Sequence, residues 1–141
     1  MYVDTCILIK LLTHEPDSEF FAAELRGKPL ASSELAYTEV CSALLAKERT
    51  GRLSAVGRQK AWRQFLAWVS AEEVALHRLN EVVLHKAAHQ LELCHPQVAL
   101  RTLDAIHLAA ADLTQDLPLC TTDERLRQAA RFLKIPLFPE D

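Results

Sequence analysis

What most limits the possible folds of this chain is a regular alternation of short apolar runs with longer stretches of helical periodicity. Met1–Asp4, Lys28–Ser32, Val74–Leu79, Leu117–Thr122 and Ile135–Phe138 have strand character. Helical segments lie between them. Thr5–Leu12 and Ser18–Arg26 flank a turn around Pro16. Ser33 is placed to cap a helix that runs to about Thr50 and ends at Gly51, and Ser54 to cap the next, which reaches about Ser70. Glu81–Leu93, a segment capped by Thr102 through about Thr114, and Asp123–Leu133 complete the set, with Cys94–Leu100 as a loop around Pro96. Strands too widely separated for hairpins pair in parallel through helical crossovers, so the pattern predicts an α/β fold with a parallel sheet.

At 141 residues the chain is expected to form one domain, 1–141, and three glycines and six prolines leave little room for flexible linkers. Half the residues are hydrophobic and a quarter charged, as in ordinary soluble proteins. The N-terminus lacks a basic leader, Asp4 and Lys10 interrupt its apolar run, and no stretch approaches the ~20 apolar residues of a membrane span. The expected location is cytoplasmic, with no membrane partner. Cys6, Cys41, Cys94 and Cys120 form no C-x-x-C pair and read as reduced, buried thiols.

The informative carboxylates are those embedded in apolar surroundings. Asp4 follows Tyr2-Val3 at the exit of the first strand, and Asp123 holds the matching position after Leu119-Cys120-Thr121-Thr122. In open α/β sheets, sites form beyond the carboxyl ends of the strands, which puts both acids at one edge. Glu39 can be placed by angle, at about 100° per residue. On a helical wheel centred on Ala36, the apolar residues Leu35, Ala43, Val40 and Leu44 make up one continuous arc. Glu39 falls inside that arc, between Leu35 and Ala43, where a helix packs against its sheet and a lone charge is costly. Asp104 stands in the first turn of Leu103-Asp104-Ala105-Ile106-His107-Leu108-Ala109-Ala110-Ala111, a helix apolar almost all round.

Singly, three of these acids have structural explanations. Asp104 complements a helix dipole, Asp123 serves as an N-cap, and Asp4 ends a strand in an Asx-turn. Glu39 in mid-helix has none. Four carboxylates on one strand edge repel by several kcal/mol per close pair at an effective dielectric of ~20, so a cation or protonation must accompany them. Hard oxygen ligands favour Mg²⁺ or Mn²⁺ over zinc, and the reaction that most often needs them is in-line phosphodiester hydrolysis. A phosphatase fits less well, because D-x-D-x-T and P-loop motifs are both missing.

At these residues the sequence resembles the PIN-domain ribonucleases, specifically the VapC-type toxins of bacterial toxin–antitoxin pairs. The matching pieces are Val3-Asp4-Thr5, Thr38-Glu39-Val40, Leu103-Asp104-Ala105-Ile106-His107-Leu108-Ala109 and Thr121-Thr122-Asp123. The resemblance implies a single-domain three-layer α/β/α sandwich and a Mg²⁺-dependent endoribonuclease, with Mn²⁺ as a substitute. It makes Asp4, Glu39, Asp104 and Asp123 both the catalytic and the metal-binding set. Asp4 and Asp104 would be the principal ligands, Glu39 a ligand or water-orienting base, and Asp123 a second-metal or outer group. Thr5 and Thr121 would support the carboxylates by hydrogen bonds. A small protein antitoxin and a homodimer are the implied partners. A housekeeping RNA-processing nuclease of the same fold and a catalytically silent RNA- or protein-binding module are the rival readings.

The net charge of −3 conceals a partition. Residues 47–63 carry Lys47, Arg49, Arg52, Arg58, Lys60 and Arg63 against Glu48 alone, +5 locally, leaving −8 for the rest. This basic helical arm is a candidate contact for RNA phosphates, and Arg101 and Arg125 are candidates beside the acids. Trp62, Phe65 and Trp68–Val69 recur at helical spacing and are expected to pack in the core, with a dimer or antitoxin-binding groove as the alternative. His85 and His89 have the spacing of a zinc pair but lack the glutamate of H-E-x-x-H. His107 is expected to be a satisfied buried histidine or a neighbour of the site.

Overall fold

A computed structural model describes residues 1–140. In chain order the elements are β1 (Tyr2–Val3), α1 (Thr5–Leu12), α2 (Ser18–Leu25), β2 (Leu30–Ser33), α3 (Leu35–Arg49), α4 (Ala55–Ser70) and β3 (Val74–His77). Then follow α5 (Glu81–Cys94), α6 (Thr102–Thr114), β4 (Leu119–Cys120), α7 (Glu124–Phe132) and β5 (Leu137–Phe138). All strand pairs are parallel, in the order β3-β2-β1-β4-β5. The expected α/β fold with a parallel sheet is present. Asp141 lies outside the described residues.

Two cores explain the three layers. Along β1 and β4 successive side chains point to opposite faces, as strand geometry requires. Tyr2 and Leu119 join the core under α5, α6 and α7, with Ala105, Leu108 and Leu126. Val3 and Cys120 join the core on the other face, with Ile7, Phe21, Ala36, Val40 and Phe65 from α1 to α4. The chain lays β2 and β3 to one side of β1, then crosses back to place β4 and β5 on the other. The gap between β1 and β4 is therefore the switch point where α/β sheets open a crevice.

Helices sit within a residue or two of their expected limits, but the strands are shorter than the apolar runs. Pro29, Pro118 and Pro136 lack an N–H for the ladder and stand just before β2, β4 and β5. Two expected caps are displaced. Ser33 ends β2, with its hydroxyl accepting from Leu35 N at 3.1 Å, while Glu34 occupies the N-cap position of α3 without capping it. Thr102 is the first residue of α6, and Arg101 takes the cap position with no side-chain cap bond. Ser54 caps α4 as expected, accepting from Gly57 N. All four cysteines are free thiols, though Cys6 and Cys41 are only half-buried. Among the described residues no helix is long and apolar enough to cross a membrane.

Candidate active site

β1 ends at Val3, and the next residue, Asp4, turns the chain into α1. Its backbone is extended and its Oδ1 caps the helix, accepting from Ile7 N at 3.1 Å. The Cys6 thiol also donates to Oδ1, at 2.8 Å, and the Thr121 hydroxyl donates to Oδ2. Asp4 is only 4% exposed. Burial is the dominant influence and pushes its carboxyl above the usual range, against the Cys6 bond, the charge of His107 and the bonds from Thr121 and Ile7. Burial and the adjacent Asp4 push the Cys6 thiol up to about 12, so it stays a proton donor.

Asp123 repeats the device one strand over. It caps α7 through Leu126 N, at 3.0 Å, and its own N–H bonds the Thr121 hydroxyl at 3.0 Å. Thr121 thus joins two acids. Asp104, in the first turn of α6, is half-buried. Burial first and then the charge of Asp123 hold its carboxyl above the usual range. Arg101 spans the pair, with Nε at 3.3 Å from Asp104 and Nη2 at 3.7 Å from Asp123.

Glu39 sits one turn into α3 beside the buried Ala36 and Val40, where its helical angle puts it. It is half-buried and fully engaged at one oxygen: Oε1 accepts from Thr5 Oγ1 at 2.8 Å and from His107 Nε2 at 2.6 Å. Burial alone raises a carboxyl pKa. Here the bond and charge of His107, with the bond from Thr5, outweigh it and hold Glu39 below the usual range. Glu39 and Asp104 line a groove of about 540 Å³ with Leu100, Arg101, Thr102 and Leu103.

All four acids lie at the carboxyl edge, but they are joined pairwise rather than in one cage. Among the described residues no three acidic, histidine or cysteine side chains are grouped to hold a metal. The reason is local: Asp4 and Glu39 spend oxygens on donors of their own fold, and Arg101 lies between Asp104 and Asp123. The donor chemistry nonetheless fits a hard divalent cation. The acids supply oxygen only, and the negative charge shared by Asp104 and Asp123 already attracts the nearest available cation, a guanidinium.

Beyond Thr5 and Thr121, sequence reasoning gave little weight to the donors around the acids. His107 is 3% exposed and bridges Glu39 to the Tyr2 hydroxyl, which lies 2.9 Å from Nδ1. Its place one turn beyond Asp104 was the available signal; Tyr2 and Cys6 gave none beyond their apolar neighbours. Arg127 is also buried, and its guanidinium donates to the carbonyls of Thr121 at 3.0 Å and Pro139 at 2.8 Å, fixing the loop that carries Asp123.

The basic arm forms the far ends of α3 and α4. From Glu39 to Arg49 is ten residues of helix, about 15 Å. Lys47 pairs with Glu15 at 2.6 Å and Arg58 with Glu48 at 2.9 Å, so these two cations are already engaged. Arg49, Arg52, Lys60 and Arg63 are exposed. Arg125 is also exposed, on α7. Phe65 is fully buried, and Trp62 and Trp68 pack against the same core as expected. His85 and His89 are exposed on α5.

A parallel five-stranded sheet carrying acids after β1 and β4 and at the starts of α3 and α6 defines a class, and residues 1–132 match the PIN domain. The chain belongs to the PIN-domain family. Among its relatives, Ribonuclease VapC46 of Mycobacterium tuberculosis (strain ATCC 25618 / H37Rv) is 40% identical over 136 residues, covering 94% of this chain and 92% of that protein. Ribonuclease VapC45 of the same species (strain CDC 1551 / Oshkosh) is 35% identical over 136 residues, covering 92% and 88%. A chain of a toxin–antitoxin complex from Klebsiella pneumoniae shares the fold, with a TM-score of 0.59 and 20% identity over 86% of this chain and 85% of that one.

Proposed function

We propose that this protein is a divalent-metal-dependent endoribonuclease and the toxin of a toxin–antitoxin pair. The observation that carries the reading is the placement of Asp4, Glu39, Asp104 and Asp123 along one sheet edge of a chain that matches named ribonucleases over nearly its whole length. Mg²⁺, or Mn²⁺ in its place, would be held by Asp4 and Asp104 with Glu39 and Asp123 nearby, and would supply polarisation of the phosphate and a lowered pKa for the attacking water.

The chain's own residues do the rest. Asp4 is held in one rotamer by Cys6, Thr121 and the first turn of α1, so its carboxylate needs no reorganisation. Glu39, kept ionised by its donors, is equipped to accept the proton of an incoming water or to orient it. Thr5 fixes Glu39, and Thr121 fixes the spacing of Asp4 from Asp123. Arg101 is exposed on its outer side to meet a phosphate oxygen, and the exposed Arg49, Arg52, Lys60 and Arg63 extend positive charge along the α3–α4 hairpin for the RNA backbone.

A small protein antitoxin, a homodimeric state and a cytoplasmic site of action belong to this reading. The experiment is cleavage of RNA by the purified protein with Mg²⁺. The wild type cleaves, while Asp4→Asn, Asp104→Asn and wild type in excess EDTA do not. Undiminished cleavage by either variant or in EDTA overturns the mechanism, and a neighbouring gene for a small antitoxin separates the toxin from a housekeeping nuclease.

A further inference from the structure

Glu39 is bound asymmetrically. Both donors that reach it, Thr5 Oγ1 and His107 Nε2, meet at Oε1, and Oε2 has no hydrogen-bond partner among the described residues. A carboxylate oxygen only accepts, so Nε2 carries the proton of that bond in either charge state of the ring. The other nitrogen, Nδ1, faces the Tyr2 hydroxyl, which donates to a neutral ring and accepts from a charged one. Nε2 therefore donates to Glu39 in both states.

The three residues come from three elements. Tyr2 is fully buried in the central strand β1, His107 lies in the wholly buried run of α6, and Glu39 projects from α3. The Tyr2 and His107 rings also meet edge to face, with centroids 5.9 Å apart. This fixes the imidazole from both sides: strand β1 sets the ring, and the ring sets the carboxylate. A half-buried glutamate with three rotatable bonds otherwise samples several rotamers.

We propose that Tyr2 and His107 are positioning residues of the nuclease reaction, acting as a relay of fixed geometry that locks Oε1 of Glu39 and presents Oε2 alone to water and substrate. The inference rests on the ribonuclease reading above. It differs from a packing role because it requires a donor at the Nε2 position, not merely volume.

The test is steady-state cleavage of a fluorogenic single-stranded RNA with saturating Mg²⁺ by wild type, Glu39→Gln, His107→Leu, His107→Gln and Tyr2→Phe. His107→Leu keeps the volume and removes the donor, and kcat should fall by about 10²-fold with KM unchanged, the cost of a misplaced group. His107→Gln restores an N–H at the Nε2 position and should recover most of that loss. Tyr2→Phe removes one oxygen atom and should lower kcat severalfold at constant KM. Equal loss in His107→Gln and His107→Leu overturns the proposal, as does wild-type kcat in His107→Leu. If His107→Leu does not fold, Tyr2→Phe decides, and wild-type kcat there overturns the relay. A wild type that leaves RNA intact overturns the ribonuclease reading and the inference with it, whereas a cleaving wild type with a silent Glu39→Gln isolates the relay.

Discussion

Replacing Asp4 by Asn should make the metal-free protein more stable while removing its activity. Asp4 is 4% exposed, and its carboxyl is held above the usual range chiefly by burial. At neutral pH the native state keeps part of the cost of an ionised buried group. Asn keeps the cap, because its Oδ1 still accepts from Ile7 N, and its amide donates to the Thr121 hydroxyl, which has acceptor capacity to spare. A single stabilising substitution is commonly worth about 0.5–2 kcal/mol. An unfolding entropy of roughly 2.1 cal/mol/K per residue gives a chain of this length about 0.3 kcal/mol/K, so the shift in Tm is about 2–7 °C. The pH dependence has a definite sign. A carboxyl whose folded pKa is raised binds more protons folded than unfolded, so wild-type stability is full below the unfolded value of about 3.9 and falls as pH rises through the folded value. In EDTA the gap between Asp4→Asn and wild type should therefore be small near pH 4 and widen toward pH 7. Added Mg²⁺ should reverse the order, since a ligand at a hundredfold excess over its Kd stabilises by about 2.7 kcal/mol and the variant lacks a ligand. Calorimetry at pH 4, 5.5 and 7, with and without Mg²⁺, measures all three effects. A variant less stable than wild type at pH 7 in EDTA, or a gap independent of pH, refutes the argument from burial.

Two further outcomes can be measured. In the metal-free protein Asp4 and Asp104 should take up protons first as pH falls, above the usual carboxylate value of about 3.9 and while Glu39 is still ionised; a carboxyl titration followed by NMR in EDTA that places either at or below that value contradicts the assignment. Replacing Arg49 and Arg63 together by Ala should weaken RNA binding across sequences and flatten the dependence of log K on log salt by about one unit of slope per lost phosphate contact, whereas Lys47→Ala, already engaged by Glu15, should leave the slope unchanged in a fluorescence-anisotropy titration.

The elements were legible because their signals are local. Ser54 before Ala55 and Gly51 after Thr50 mark helix ends by chemistry that acts within four residues. Strand limits were less legible, since an apolar run continues past the last ladder bond. Caps failed at Ser33 and Thr102 because each helix began one residue away from its expected start, at Leu35 instead of Glu34 and at Thr102 itself instead of Leu103. The apolar arc placed Glu39 against the sheet from its angle alone, and the half-buried side chain lies there.

The donors were another matter. No spacing rule links Tyr2 to His107 across 105 positions, or Thr121 to Asp4 across 117. The expected convergence of four acids holds as one edge but not as one cage, because Asp4 and Glu39 spend oxygens on neighbouring donors and Arg101 lies between Asp104 and Asp123. The +5 of residues 47–63 was a correct count, but it did not reveal that Glu15 engages Lys47 or that the arm's tip lies a helix length from Glu39.

The order of residues settled the alternation of strands and helices, and with it the parallel sheet and the edge to which Asp4, Glu39, Asp104 and Asp123 belong. Those outcomes follow from periodicity, capping and the helical crossovers between successive strands, which act over short stretches of chain. Only the folded structure decided which oxygen of each acid is engaged, which carboxyl is raised and which lowered, and that Arg101 lies between two of them. Those depend on burial and on hydrogen bonds across the sheet, where ångström distances between remote segments determine the energy.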